Sequence, residues 1–486
     1  MTKGRGLLKD QCHKHSLHTA MTTLNGQQAL AQLWAAAALD PSALERAQLP
    51  TGPAPLPSSF AVGALAQASI GASALMAAEF WRLRGGAAQT VTVDLAHAAA
   101  EFRSERYLRV DGAPAPELWD AIAGPYRCGD GRWVRIHTNF PHHRDGILRL
   151  LDCRHDKDSV AAALQGWRAF EFEQAVAERG LVATAMRSFD EWDQHPQGQA
   201  VAALPLLDIR RIGDAPPLAR PFAPRPLQGM RVLDLTRIIA GPVGGRTLAA
   251  HGTDVLRITS PRLPSIPPLD IDTGRGKRNA ELDLRQAADG ERLRRLLAEA
   301  DVFVQGYRPG ALDALGFDPE QAARLRPGIV YASLSAYGHA GPWAERRGFD
   351  SLVQTASGFN HAEAAAFGGE QPRALPAQAL DHAAGYLLAF GIVAALARQM
   401  REGGSWQVQV SLARTGLWLR QLGADQAACA AADPGLEQVA PWLDDYASGF
   451  GNLRAVRHAA RLSLTPAHWA LSSMPLGSHA AEWLPR

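Results

Sequence analysis

Beyond residue 227 the chain alternates short β-branched runs with helical stretches, and this alternation limits the possible folds more than any other feature. The runs are "MRVLDLT" (230–236), "TDVLRI" (253–258), "DVFVQ" (301–305) and "GIVYASLS" (328–335), with helical patterns such as "ERLRRLLAEA" (291–300) between some of them. Strands alternating with helices predict an α/β fold: a Rossmann-like parallel sheet with helices on both faces, here joined to a smaller α/β domain. Ligands of such sheets sit at the carboxyl ends of the strands. The loops of interest therefore begin at Arg237, Thr259, Gly306 and Ala336.

The rest of the 486 residues divides by texture. Residues 1–26 read as a disordered tail. Residues 27–115 are helical and Ala-rich, ending in an alternating strand, "QTVTVDLA" (89–96). Residues 116–213 form the small α/β domain, with a strand at "RWVRIHT" and helices around 158–180. A Pro-rich linker (214–226) leads to the large domain (227–425), and residues 426–486 are expected to pack back on it. A faint repeat relates "EFWRLRGGAAQTVTVDLAHAA" (79–99) to "ARQMREGGSWQVQVSLARTG" (397–416): a helix, two glycines, then an alternating strand. The first copy has no aspartate between Asp40 and Asp94, so it carries no counterpart of Asp381.

A formal charge of +2 argues against nucleic acid as a partner. The longest apolar run, around 383–397, is too short and too rich in small residues to predict a membrane span. The N-terminus lacks an apolar core of signal-peptide length. Four scattered cysteines fit a reducing compartment, so a cytoplasmic location is expected. Cys12, His13, His15 and His18 read as a loose tail, and His142–His143 lack a spaced third ligand, so no metal site is expected.

Several loops carry chemistry. Gly241, Pro242, Gly244 and Gly245 follow the first strand without a dinucleotide or nucleotide-triphosphate spacing. Arg275, Lys277 and Arg278 sit in "DTGRGKRNAELDLR", Tyr307 and Arg308 in "GYRPG", and Arg346 and Arg347 in "WAERRGFD". Gathered at one sheet edge, they would suit a polyanion bearing a planar ring. Lys277 is also the only lysine after residue 157. In "ALPAQALDHAAGYLLAFG" (374–391), Asp381 opens an apolar helical run. It reads either as a helix cap or as a reactive carboxylate.

The ordered blocks "LQGMRVLDLTRIIAGP", "GKRNAELDLR", "ADVFVQGYRPGALDALGF", "RPGIVYASLSAYGHAGPWAERRGFDSLVQTASG" and "ALDHAAG" resemble the class III CoA-transferases, the CaiB/BaiF family, across most of 227–415. "YRCGDGRWVRIHT" is more loosely similar to that family's small domain. The resemblance implies acyl transfer from an acyl-CoA to a carboxylic acid acceptor, with Asp381 as covalent nucleophile and CoA as substrate; no permanently bound cofactor is implied. It places CoA contacts at Arg237, Ile239 and Ala240, at Leu282 to Arg285, at Tyr307 and Arg308, and at Arg346, Arg347, Gly348 and Phe349. It also implies a homodimer, unless the two partial copies fold on each other. The chain departs from the pattern at Ala314, where the family often has arginine, at Thr259 and Ser260, and in the order of its domains. Two alternatives accompany this reading: a racemase-like enzyme, whose G-H-D triplet is here Gly348, Phe349, Asp350, and a catalytically silent CoA-binding homologue.

Overall fold

The computed structural model describes residues 23–485, so the tail cluster Cys12, His13, His15 and His18 lies outside the described residues. Seven strands build the main sheet: β1 (Asp208–Gly213), β2 (Arg231–Leu235), β3 (Asp254–Thr259), β4 (Lys277–Glu281), β5 (Val302–Gln305), β6 (Val330–Ser335) and β7 (Ser405–Ser411). They lie in the order β4-β3-β2-β5-β6-β7-β1. All neighbours are parallel except β1, which runs antiparallel to β7. The central β2 is buried at all five positions, as a strand covered on both faces must be. The linker side differs from expectation. Residues 208–213, read as the end of the small domain, instead form the edge strand of the large sheet.

Four helices position the site: α1 (Val62–Leu83), α2 (Ala240–Ala250), α3 (Asp350–Ala356) and α4 (Ala379–Glu402). By length and composition α4 could cross a bilayer, which the sequence alone did not suggest, but its apolar stretch is wholly buried inside the protein. A helix apolar on every side is a core helix when neighbours surround it. Here they do: α2 and α1 both pack along α4. The α2–α4 crossing depends on Gly385, because a Cβ there would collide with the Ala240 carbonyl and the Val243 side chain. Gly385→Ala is expected to destabilise the fold by about 2 kcal/mol through overpacking, read as a lower urea midpoint at unchanged m-value.

The repeat has a structural meaning. Its first copy supplies α1, which packs on the equivalent α4 of the second copy. Its strand Val91–Val93 stands apart from the main sheet, between Ala47–Gln48 and Ala460–Leu462. The C-terminal segment thus pairs with the first copy as well as covering the large domain. Gly451–Val456 also pairs with Arg109–Val110, while the Trp483 indole donates to the Leu296 carbonyl. Buried ions tie these layers together. Asp272 accepts from Arg246 at 2.6 Å and from Arg275 at 2.7 Å, and Glu101 meets His458 at 2.9 Å.

The small domain has its own core around a three-stranded antiparallel sheet, Gly124–Arg127, Trp133–Ile136 and Ala183–Ala185. It meets the large domain where the His137 ring stacks on Phe349, 4.0 Å between centroids. That contact lies at the carboxyl edge of the main sheet, just ahead of α3.

Candidate active site

Asp381 is the third residue of α4, and the N-cap position belongs to Gln378, whose side chain makes no capping bond. The cap comes from elsewhere. The Asp350 carboxylate, at the start of α3, accepts the Asp381 backbone N–H at 2.8 Å and also the N–H of Leu380. Two of the helix's orphan donors are thereby satisfied from outside its own sequence. Asp381 is therefore not the cap. Its own carboxylate accepts no hydrogen bond among the described residues, although the residue is only 7% exposed. Burial raises its pKa well above the usual carboxylate range, and the charges of Asp350 and Glu105 push the same way. Asp350 is raised too, chiefly by burial. Two ionisable carboxyls sharing a low-dielectric site cannot both ionise easily.

Asp381 lies in the wall between two cavities. The first, about 330 Å³, is built from the loops after β2, β5 and β6 with a lid from the small domain. Arg237, Tyr307, Arg308, Arg346, Arg347 and Phe349 line it, and Asp381 is its only acid among the described residues. The Arg237 guanidinium donates to the Pro264 carbonyl and lies 5.3 Å from the Phe140 ring centroid. Arg347 donates to the Gly180 carbonyl at 2.5 Å. Burial lowers its pKa, and the like charge of Arg308 lowers it further. His143, on the small-domain side, is pushed down to about 3 by burial, by His142 and by Arg347 and Arg237. Concentrated positive potential with so little acid nearby favours a phosphate-bearing ligand.

The second cavity, about 550 Å³, shares Ile238, Ile239, Phe349 and Asp381 with the first. A chain of rings lines its small-domain side. Trp119 meets His137 edge-on at 5.7 Å, and His137 stacks on Phe349. Ile238, at the junction of both cavities, has φ +72°. A β-branched residue in that region is strained by roughly 1–3 kcal/mol and persists only where its surroundings enforce it. Such strain gathers at functional sites, and Ile238 lines both cavities.

The structure brings Arg237, Ile239, Ala240, Tyr307, Arg308, Arg346, Arg347, Gly348, Phe349 and Asp381 to one cavity. Four other predicted residues stand elsewhere. Lys277 and Arg278 begin strand β4, and the amino end of a parallel strand lies at the sheet edge opposite the site. The Lys277 ammonium is fully buried, 3.0 Å from Asp234 and 2.8 Å from the Pro242 carbonyl. Arg278 is held by Asp254 at 2.8 Å and by the Glu482 carbonyl at 2.6 Å. Leu282 packs into the apolar layer under the sheet. Arg285 turns back onto Asp283 at 2.9 Å, on the outermost strand's loop. Arg275 is likewise structural, bound to Asp272. Ala314 is exposed and outside both cavities.

The sequence reading gave no role to Asp350 or Ile238, nor to the small-domain side chains Trp119, Arg135 and His137. The Gly348-Phe349-Asp350 run was weighed only as the counterpart of a racemase-like triplet, and which helix Asp350 would cap depends on tertiary structure. The small-domain residues carry no local pattern that points to a ligand.

The model of CoA-transferase family III matches residues 41–220 and 227–446. An acyl-CoA transferase of Gibberella moniliformis is 31% identical over 408 residues, covering 75% of this chain and 71% of that protein. An acetyl-coenzyme A transferase, nodX, of Hypoxylon pulicicidum is 33% identical over 322 residues, covering 61% of this chain and 54% of that protein. A solved CaiB/BaiF family protein from Brucella suis is 27% identical, with a TM-score of 0.37, covering 47% of this chain and 65% of its own. The chain belongs to CoA-transferase family III.

Proposed function

We propose that the protein moves coenzyme A from an acyl-CoA to a carboxylic acid, with Asp381 as covalent nucleophile. A carboxylate oxygen of Asp381 attacks the thioester carbonyl, the carbon–sulfur bond breaks, and CoA thiolate leaves from a mixed anhydride. The thiolate then attacks the Asp381 carboxyl carbon, expelling the donor acid as carboxylate and leaving an aspartyl-CoA thioester. The acceptor carboxylate attacks that same carbon and releases the thiolate. The thiolate attacks the acceptor's acyl carbon, which restores the Asp381 carboxylate. Every step exchanges one anion for another, so no proton transfer and no redox partner is needed.

One observation carries this reading: a buried carboxylate without a hydrogen-bond partner among the described residues, open to two cavities, the first with Asp381 as its only acid and the second lined by apolar and charged side chains together. The first has the charge for a CoA phosphate chain, and the second has room for an acid. A racemase-like reading would need an imidazole base facing the substrate. His382 is instead engaged with Glu105 at 3.1 Å and lines neither cavity. His137 faces the second cavity, but burial pushes it down to about 3, far from the range that serves a base near neutral pH.

Intact-mass spectrometry after mixing the protein with a panel of acyl-CoAs tests the proposal. A covalent gain of one CoA, located on the Asp381 peptide and removed by hydroxylamine, is expected. No adduct with any donor would overturn the transferase reading in favour of a silent CoA-binding homologue.

A further inference from the structure

The mechanism gives no part to one pair of ionisable side chains beside the nucleophile. His382 follows Asp381 in the first turn of α4, and its Nε2 lies 3.1 Å from a Glu105 carboxylate oxygen. A carboxylate only accepts, so the ring donates from that nitrogen. The imidazole is 1% exposed and the Glu105 side chain 10%. The other ring nitrogen, Nδ1, has no partner among the described residues. The Glu105 bond and a stack on Phe102, 5.4 Å between centroids, thus fix the ring. Both holds come from the N-terminal helical segment, where Glu105 sits on the short helix Ser104–Tyr107.

Stability alone does not call for an acid here. A buried ion pair is weak evidence of stability, since apolar side chains of similar volume often hold a fold as well. Glu105 also stands where a carboxylate has a cost. It lines the second cavity with Asp381, and its charge opposes ionisation of Asp381. The other charges nearby are accounted for. Asp350, on α3, opposes ionisation of Asp381 as well, and it also acts on Arg135 of the small domain. Arg103 and Arg106, on either side of Glu105 in sequence, are engaged by Asp433 at 2.5 and 3.6 Å. On the far side of His382, Asp272 is paired with Arg246 and Arg275. Glu105 therefore meets the reacting turn of α4 twice, once through the ring of His382 and once through its own charge across the cavity.

We propose that Glu105 is a positioning residue for the transfer, reaching in from the N-terminal segment to fix the first turn of α4 through His382 while setting a negative charge against the nucleophile. The proposal rests on the transferase reading for what Asp381 does, but the coupling it describes is measurable without transfer. The pH–rate profile of full-length Glu105→Gln is the first test. The amide oxygen still accepts from His382, but the charge is gone. The acid limb should move to lower pH, and KM for the acyl-CoA should stay unchanged because Glu105 does not line the first cavity. Glu105→Leu and His382→Leu both cut the hold and should each lower kcat by about 10²-fold, the cost of a displacement near 1 Å. Because the two act through each other, combining them should cost little more than either alone. Of the two, only the Glu105 substitution should move the limb to lower pH. A merely structural role would lower the melting temperature and leave the limb in place. The second test is urea unfolding of Glu105→Gln with and without Asp381→Asn, from pH 4 to pH 9. The stability gained from Asp381→Asn should shrink when Glu105→Gln is present at neutral and alkaline pH, and the two should be additive near pH 4, where the folded Asp381 carboxyl is protonated. Additivity at every pH, or a limb that Glu105→Gln leaves in place, would overturn the proposal. Should the leucine variants fail to fold, Glu105→Gln alone decides. A missing CoA adduct with the pH-dependent coupling intact removes the transferase reading and leaves the coupling, whereas an adduct with additivity at every pH removes this proposal alone.

Discussion

Asp381→Asn is expected to lower CoA transfer by at least about 10⁴-fold, the scale on which loss of a catalytic nucleophile or its immediate partners is felt. No CoA adduct should appear by mass spectrometry. The amide has the shape of the carboxyl it replaces, and the bond that holds this turn of α4 runs from the Asp381 backbone N–H to Asp350, not from the side chain. The side chain makes no hydrogen bond to lose. Stability should therefore move the other way from activity. A carboxyl whose folded pKa is raised stabilises the fold fully only below its unfolded pKa, and that contribution is lost as pH rises through the folded value. At neutral pH native Asp381 thus carries a penalty that the amide lacks. The variant should melt at the same or a higher temperature, with the gap widening from acid to neutral pH. Full activity in the variant would end Asp381's role, and a large fall in melting temperature would mean that the carboxylate is structural.

The divergence between activity and stability also explains what the sequence could show. Strands β2, β3, β5 and β6 were legible because buried parallel strands need β-branched residues in short runs, and the loops after β2, β5 and β6 were found by the rule that ligands sit at carboxyl ends. Lys277 misled because basic residues near a glycine turn look alike at either end of a strand. Only the register with β3 shows that Lys277 lies at the amino end, buried against Asp234. The cap on α4 stayed open in the sequence for a related reason. An aspartate beside a helix start suggests self-capping, but the true cap, Asp350, is 31 residues away in sequence.

Asp350→Asn should slow transfer by about 10²-fold, the cost of a displacement near 1 Å at the reacting centre, and should shift the acid limb of the pH–rate profile to lower pH. Asp350 has two effects on its neighbour. Its carboxylate holds the Asp381 and Leu380 N–H groups, which fixes where the nucleophile stands. Its charge also opposes ionisation of Asp381, second only to burial as a cause of the raised pKa. The nucleophile works as carboxylate, so native activity rises with pH as the pair loses its protons, in steps that belong to the pair and not to either residue. An amide at 350 removes the repelling charge, and Asp381 then ionises at a lower pH than in the native protein. Burial remains, so the limb should stay above the range of an exposed aspartate. The amide oxygen can still accept one N–H, which limits the rate loss; Asp350→Ala, with neither oxygen, should be slower again while showing the same shift. A limb that stays in place would mean that Asp350 is already protonated in the working enzyme. It would then act on Asp381 through position alone.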